Sequence, residues 1–204
     1  MKKLLTEISK ILTIFIFNKS KRRIQRYMIR RALWTKYYGK QVIKTAKSIG
    51  KDFYCSGRST VNKNTIIKDY VCFNGLTVAG SGNITIGSYF HSGVEIMIIA
   101  QNHNYDSGDF IPYGTDYVYK DIVIEDFVWL GSRVTILPGT HIGEEAIIQA
   151  GSVVHGEIPP YAIAGGNPAK VFKYRNIEHF KNLKERKKFL TAKVYCEKVY
   201  GKEG

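Results

Sequence analysis

Residues 124–154 read IEDFVWLGSRVTILPGTHIGEEAIIQAGSVV, and a large apolar residue stands at every sixth position of this stretch. The series consists of Ile124, Leu130, Ile136, Ile142, Ile148 and Val154. A six-residue period fits neither a free-standing helix, which needs apolar spacings of three and four, nor a strand, which needs a spacing of two. It fits a coil of three short strands, each turning one large apolar residue inward. Stacked coils then bury a continuous column that no single coil could bury alone.

A second set of residues, all small or β-branched, follows the first five large ones at a distance of four: Val128, Val134, Thr140, Ala146 and Ser152. We expect these residues to fit the tight corners between strands. The pattern continues less regularly upstream, where the inward positions are predicted to be Cys72, Val78, Ile84, Ile86, Ile96 and Ile98. The two blocks together predict about four to five coils of roughly 18 residues.

Residues 101–121, QNHNYDSGDFIPYGTDYVYKD, interrupt the six-residue period. A solenoid can close without such a segment, so a long loop at this place is typical of a functional element.

The stretch VWLGSRVTILPGTHIGEEAIIQAGSVVHGEIPPYAIAGGNPAKVFKYR (128–175) resembles the bacterial hexapeptide-repeat acyltransferases. It is most similar to the branch with galactoside, maltose, streptogramin and surface-polysaccharide O-acetyltransferases, and the resemblance covers roughly residues 53–175. The consecutive hexads, the loop histidine and the GGNPAK sequence (165–170) carry it together. The resemblance implies a mainly β fold, a left-handed parallel β-helix. It also implies a homotrimer with active sites between adjacent subunits.

Transfer of an acetyl group from a thioester to a hydroxyl requires a base for the hydroxyl proton. His103 matches the family's catalytic histidine, and an unperturbed imidazole, with a pKa near ~6.5, keeps a useful neutral fraction. Asp106 is predicted to orient this imidazole or to hold the acceptor, although its surroundings are also a turn composition. Tyr105 and Tyr113 are candidates for contact with a sugar ring.

The resemblance places acetyl-coenzyme A in a groove between neighbouring coils, with no metal. The matching residues, from the thioester along the pantetheine arm to the phosphates, are Trp129, Gly131, Ser132, Ala150, Gly151, Lys170, Lys173 and Arg175. The glycines and Trp129 also have a purely structural interpretation as tight turns and a packed corner. Relatives often carry Thr-Lys where this chain has His155-Gly156, which weakens the expectation of a phosphate contact there.

The acceptor side departs from the galactoside enzymes, which carry acidic and amide residues at the upstream subsite. This chain has Phe73 and Ser81 at the matching places, with Asn74 beside Phe73 as the candidate substrate-binding residue. A soluble galactoside is therefore not the expected acceptor. We expect a sugar hydroxyl in the biosynthesis of cell-surface polysaccharide or lipopolysaccharide.

The net charge of +14 is concentrated in the flanks: residues 1–50 carry +13, residues 51–175 carry −3 and residues 176–204 carry +4. A nucleic-acid-binding protein would carry its positive charge on the folded surface, so no nucleic-acid partner is expected. The three cysteines, Cys55, Cys72 and Cys196, are odd in number and scattered. They predict a reducing, cytoplasmic location rather than a disulfide scaffold.

The N-terminal segment (1–50) is predicted to be helical and is followed by the β-helix (51–175, with the inserted loop 101–121) and a helical segment (176–204). Its apolar residues recur at helical spacing, at Leu4, Leu5, Ile8, Ile11, Leu12 and Phe15, and a basic helix is predicted near 21–34. The uninterrupted apolar run 11–17 is far too short to span a bilayer. The apolar face packs on the protein or a neighbouring subunit in one interpretation. In the other, residues 1–47 contact an anionic membrane from the cytoplasmic side.

Four other activities or roles fit parts of the pattern. A streptogramin-type acetyltransferase acts on a xenobiotic rather than a sugar, and a serine acetyltransferase has a larger helical N-terminal domain than this chain. A metal-dependent carbonic anhydrase on the same fold would use three histidines, for which His91, His103 and His141 are available. A non-catalytic trimeric scaffold is the fourth.

Overall fold

The computed structural model describes residue 33 and residues 35–200. The helices predicted within residues 1–32 lie outside the described residues. Residues 35–45 form a helix, α1, which leads into the first strand. Among the described residues, no helix combines the length and apolarity required to cross a membrane.

The chain then winds through short strands that stack into three faces. Face A contains, in order along the axis, β1 (Ser48–Ile49), β3 (Thr65–Ile67), β6 (Ile84–Ile86), β11 (Ile122–Ile124), β14 (His141–Ile142) and β17 (Glu157–Ile158). Face B contains β2 (Tyr54–Cys55), β4 (Cys72–Phe73), β7 (His91–Ser92), β12 (Trp129–Leu130), β15 (Ile147–Ile148), β18 (Ala162–Gly166) and β19 (Ala169–Tyr174). Face C contains β5 (Leu76–Ala79), β8 (Ile96–Ile99), β13 (Thr135–Ile136) and β16 (Val153–Val154).

Neighbouring strands within each face are parallel, except that β18 and β19 are antiparallel. Ile124 pairs with Ile142, 18 residues later, which is the length of one full coil. Ile86 instead pairs with Ile124, 38 residues later. The 20 extra residues are the inserted loop, which contains the antiparallel pair β9 (Asn102–His103) and β10 (Tyr117–Val118). The predicted parallel β-solenoid is thus confirmed, and the insertion leaves the stacking of the coils unbroken.

The core is the column that the hexads predict. All six large residues of the series from Ile124 to Val154 are fully buried, and the residues of the second, small or β-branched set are buried as well. The corner lies one residue earlier than predicted, at positions with positive φ such as Phe127 (60°), Arg133 (61°) and Gly139 (80°). The residue after each corner is small or β-branched because it faces the narrow angle of the core.

Two upstream expectations change in the structure. Cys72 pairs with His91, which pairs with Trp129, so Cys72 lies on the outer side of face B and Phe73 takes the inward position. The start of the solenoid also precedes the boundary predicted at residue 50. Strand β1 pairs with β3, and Val42 of α1 is buried in the core.

Two helices follow the solenoid, α2 (Ile177–Glu185) and α3 (Ala192–Tyr200). The side chain of Asn176 caps α2 by accepting a hydrogen bond from the His179 backbone at 2.9 Å. Phe180 is the buried residue of α2 and packs edge-on against Phe127 and Tyr161, which are corner residues of the solenoid. The helices are thereby held against the edge where face A meets face B.

We expect Ile136→Ala to lower the free energy of unfolding by about 2–5 kcal/mol, because it removes a fully buried side chain from a column that cannot collapse locally. Thr135→Ala, on the same strand but facing outward, is the matched control and should cost less than about 1 kcal/mol. Urea unfolding monitored by circular dichroism measures both. Equal losses in the two variants would contradict the inward assignment.

Candidate functional site

The inserted loop projects from one edge of the solenoid. It leaves from β8 on face C and rejoins at β11 on face A, so it stands where these two faces meet. Asn104 organises it: its carbonyl accepts from Gly114 N at 2.8 Å and its amide Nδ2 donates to Asp116 Oδ2 at 3.0 Å. These hydrogen bonds hold the loop in a conformation of its own at the side of the stack.

His103 lies on β9, opposite Tyr117 of β10. Its ring stacks on Tyr113 at a centroid distance of 3.9 Å and lies 4.6 Å from the ring of Tyr117. Its Nδ1 is buried and has no hydrogen-bond partner among the described residues. Asp106 is exposed, and the described contacts of the imidazole are with the rings of Tyr113 and Tyr117. Tyr105 is largely exposed, as a ligand-contacting side chain would be.

A second group of predicted residues lines the edge where face B meets face C. Trp129 is about half exposed on face B, and the coil register places Ser132 beside Ala150 one coil further on. A side chain at Gly151, with φ 75°, would meet nothing within 4 Å, so this edge is open.

Lys170 and Lys173 are exposed on β19, which extends face B beyond β18. The path from β12 to β19 crosses three strand spacings, about 14 Å. An indole thus stands at one end of this open edge and the Lys170 ammonium group at the other, whereas Lys173 pairs with Ile163 and lies on the outer side of face B beside α2.

Three predicted residues have structural roles in the coil. A Cβ on Gly131 would lie 2.5 Å from the Ala150 backbone nitrogen, so the neighbouring coil itself requires glycine there. Asn74 bridges coils: its Oδ1 accepts from the Ser56 hydroxyl and its Nδ2 donates to Ser92 O at 2.7 Å. Arg175 was predicted to contact a phosphate. Its guanidinium group instead forms an ion pair with the carboxylate of Glu145.

The catalytic candidate and the open edge are separated within one chain. His103 stands where face C meets face A, whereas Trp129, Ser132, Ala150 and Gly151 follow the edge between face B and face C. The width of face C lies between them. The predicted catalytic histidine and the predicted cofactor-binding residues are therefore not brought together within a single chain.

The three histidines of the metal alternative are also apart. His91 is on face B with Nε2 3.3 Å from Leu190 O, and His141 is on face A with Nε2 2.8 Å from Glu125 Oε1. The hydrogen bond from His141 lowers the pKa of Glu125. Within the described part of the chain, no group of three or more His, Cys, Asp or Glu side chains could hold a metal ion.

Sequence reasoning missed a groove of about 1590 Å³ on the outer side of face B. Its floor is face B from β2 to β12, its roof is formed by α2, α3 and the connection between them, and α1 closes one side. Trp129 and Ser132 belong to its lining. Outward-facing residues of one face recur about every 18 residues, the length of a whole coil. A search for six-residue repeats therefore did not reveal that these residues share a surface.

An aromatic column borders this groove along the edge between face A and face B. Tyr70, Tyr89 and Phe127, all with positive φ, stack at centroid distances of 4.7 and 4.8 Å. Glu145 occupies the next corner and interrupts the column, and Phe180 of α2 contacts the aromatic residues on either side of it.

Glu145 is buried, and its Oε2 has no hydrogen-bond partner among the described residues. Burial raises the pKa of the Glu145 carboxyl to about 7, and Arg175 opposes this shift only in part. The carboxyl therefore changes its charge near neutral pH.

Comparison with known proteins agrees with this architecture. Residues 121–156 match the family model described as bacterial transferase hexapeptide (six repeats). The galactoside O-acetyltransferase of Lactococcus lactis subsp. lactis (strain IL1403) is 36% identical over 119 residues, which are 58% of this chain and 56% of that protein. The protein named "Putative lipopolysaccharide biosynthesis O-acetyl transferase WbbJ" of Escherichia coli (strain K12) is 33% identical over 133 residues, 60% of this chain and 64% of that one.

Among solved structures, a galactoside acetyltransferase in complex with coenzyme A is 27% identical, with a TM-score of 0.50. The match covers 65% of this chain and 66% of that structure. The matched part is thus less than two thirds of the length of each of these relatives. The resemblance to hexapeptide-repeat transferases that the sequence indicated is confirmed by these matches.

We expect wild-type protein to lose stability relative to Glu145→Gln as the pH rises from 4.5 to 8. The folded state raises the pKa of Glu145 above the value of about 4.3 in an unfolded chain, so it binds this proton more tightly and folding is penalised once the carboxyl ionises. The difference between the two free energies of unfolding should change by up to about 3 kcal/mol. Urea unfolding at several pH values measures it.

The exposed Glu157 provides the control, since Glu157→Gln should show a pH-independent difference from wild type. A pH-independent difference for Glu145→Gln as well would show that the carboxyl is ionised throughout.

Proposed function

We propose that this hexapeptide-repeat transferase moves an acetyl group from acetyl-coenzyme A to a hydroxyl of a sugar. The observation that carries the proposal is the open edge between face B and face C, which has exposed Trp129 beside it on face B at one end and exposed Lys170 at the other. Its composition suits a ligand with a thioester arm and phosphates, because ammonium groups bind phosphate oxygens as point charges. The galactoside acetyltransferase with a similar fold was solved with coenzyme A.

The chemistry requires one base. The imidazole of His103 accepts the proton of the acceptor hydroxyl as the hydroxyl oxygen forms a bond to the thioester carbonyl carbon. The carbon–sulfur bond then breaks, and the same proton passes from the imidazole to the departing thiolate. Stacking on Tyr113 fixes the ring plane for both transfers. In this proposal Asp106 and Tyr105, which are exposed on the same loop, contact the acceptor.

A second copy of the chain completes the site in this proposal. The loop of one subunit would bring His103 to the open edge of its neighbour, because the two groups stand at different edges of one solenoid. Repeating this contact around a threefold axis gives a closed homotrimer with three equivalent sites.

The acceptor is a sugar in a cell-surface polysaccharide or lipopolysaccharide. The two relatives described above are named for a galactoside and for lipopolysaccharide biosynthesis. The basic N-terminal segment supports work at a membrane, since residues 1–32 carry ten basic residues against one acidic residue. We place the protein in the cytoplasm, peripherally at the inner face of an anionic membrane.

We expect His103→Ala to lower the turnover of acetyl transfer by about 10² to 10⁴ while thermal stability and oligomeric state stay unchanged, because the variant removes the base. Release of free thiol from acetyl-coenzyme A with a panel of sugar acceptors measures turnover. His179→Ala, an exposed histidine of α2, is the matched control and should retain full turnover.

Wild-type turnover in His103→Ala would remove this residue from the mechanism. Absence of thiol release by wild-type protein with every sugar acceptor would instead contradict the proposed activity.

We expect the triple variant Lys21→Gln, Arg22→Gln, Arg23→Gln to bind anionic liposomes about 100-fold more weakly than wild type, since each basic residue near such a surface contributes about 1 kcal/mol. Sedimentation with liposomes measures the partitioning. The control variant neutralises three basic residues of the C-terminal segment, Lys181, Lys187 and Lys193, and should partition like wild type. Equal partitioning of the N-terminal variant and wild type would contradict membrane contact through this segment.

A further inference from the structure

Most of the lining of the groove on the outer side of face B has no part in the proposed acetyl-transfer chemistry. With about 1590 Å³ the groove exceeds the 300–1,000 Å³ typical of small-molecule pockets, so it suits a ligand longer than one sugar ring. At one end the lining includes Trp129 and Ser132, the residues proposed to meet the thioester arm. From there it extends beneath the two C-terminal helices.

The character of the lining changes from the interior to the rim. The interior is mainly apolar and aromatic: Trp129 and the half-exposed Val94 belong to the floor, and Leu183, Phe189 and Leu190 belong to the roof. Burial lowers the pKa of His91 on the floor, so this imidazole adds no positive charge at neutral pH.

The rim is positively charged. Lys36 and Lys188 are exposed there, and Lys184 also lines the groove, in an ion pair with Glu144. Glu145 is the one carboxylate among the described lining residues, and it is paired with Arg175. The rim therefore favours an anion.

We infer that this groove binds an amphiphile, an apolar chain with a phosphate headgroup, and that the sugar acceptor is attached to such a lipid. The apolar chain would lie between the floor and the roof, and the phosphate would lie between Lys36 and Lys188. A sugar carried on the phosphate would then extend towards Trp129. This inference rests on the proposed function and specifies the class of its acceptor.

Charge complementarity favours this occupant over the basic stretch 19–31 of the same chain. This stretch carries a large positive excess, and placing it against a rim with Lys36 and Lys188 would bring like charges together. A phosphate is attracted by the same rim. An apolar chain also matches the roof, to which Leu183, Phe189 and Leu190 belong.

The test measures binding of decyl phosphate to the full-length protein by calorimetry, below the micelle concentration of the probe. Inorganic phosphate supplies the headgroup alone, and decyl maltoside supplies the same chain with a neutral headgroup. Decyl phosphate should bind at least about tenfold more tightly than either, because only this probe engages both the interior and the rim.

Two variants locate the binding. Lys188→Glu should weaken decyl phosphate binding at least about fivefold, whereas Lys181→Glu, on α2 but outside the groove lining, should have no effect. Val94→Asp places a charge on the apolar floor and should weaken both decyl probes. Thermal unfolding of each variant should match wild type, which shows that folding is retained.

Binding that is absent, equal for the neutral and anionic probes, or unchanged in Lys188→Glu and Val94→Asp would overturn the inference. If residues 1–32 occupied the groove, they would exclude the probe from the full-length protein. The absence of binding for this reason would overturn the inference as well. Thiol release with soluble sugars would then leave the acetyltransferase proposal intact. Specific binding of decyl phosphate would support the groove as a lipid-phosphate site. If no acceptor then caused release of thiol from acetyl-coenzyme A, the acetyltransferase proposal would be contradicted.

Discussion

The whole molecule depends on the burial of one continuous apolar column. A single coil of about 18 residues contributes only three short strands and cannot exclude water from its own centre, so each coil is stable only between its neighbours. At about 25 cal/mol per Å² of buried apolar surface, each fully buried isoleucine of the column contributes about 1.5–3 kcal/mol. The inserted loop, the open edge and the groove all lie outside this column. Side chains there do not have to fit the core.

The corners between strands provide the surface on which the C-terminal helices pack. Each corner requires a residue with positive φ, and outside glycine this conformation is uncommon. Here several of these residues are aromatic, and their rings stack from coil to coil into the column of Tyr70, Tyr89 and Phe127. Phe180 and Phe189 of the C-terminal region pack on that column. The groove exists because this contact holds the helices over face B.

Two kinds of feature could be predicted from the sequence: residues that repeat with a short period, and elements that lie within one continuous segment. The hexads gave the inward residues from Ile124 to Val154, and the interruption gave the loop with His103. Cys72 was assigned to the wrong side because strands of two residues carry too little alternation to fix which residue faces inward. The groove, the Glu145–Arg175 pair and the separation of His103 from Trp129 join residues distant in sequence, so no local pattern reports them.

The end of the stack has a consequence for the behaviour of the protein in concentrated solution. A solenoid of parallel strands would finish with an unpaired backbone edge, onto which another molecule could add strand by strand. Here the final strand, β19, runs backwards along β18 and presents lysines at its outer margin. This reversed, cationic terminus discourages end-to-end fibre growth. Lys170 and Lys173 therefore oppose strand addition at this end of face B, besides any ligand they hold.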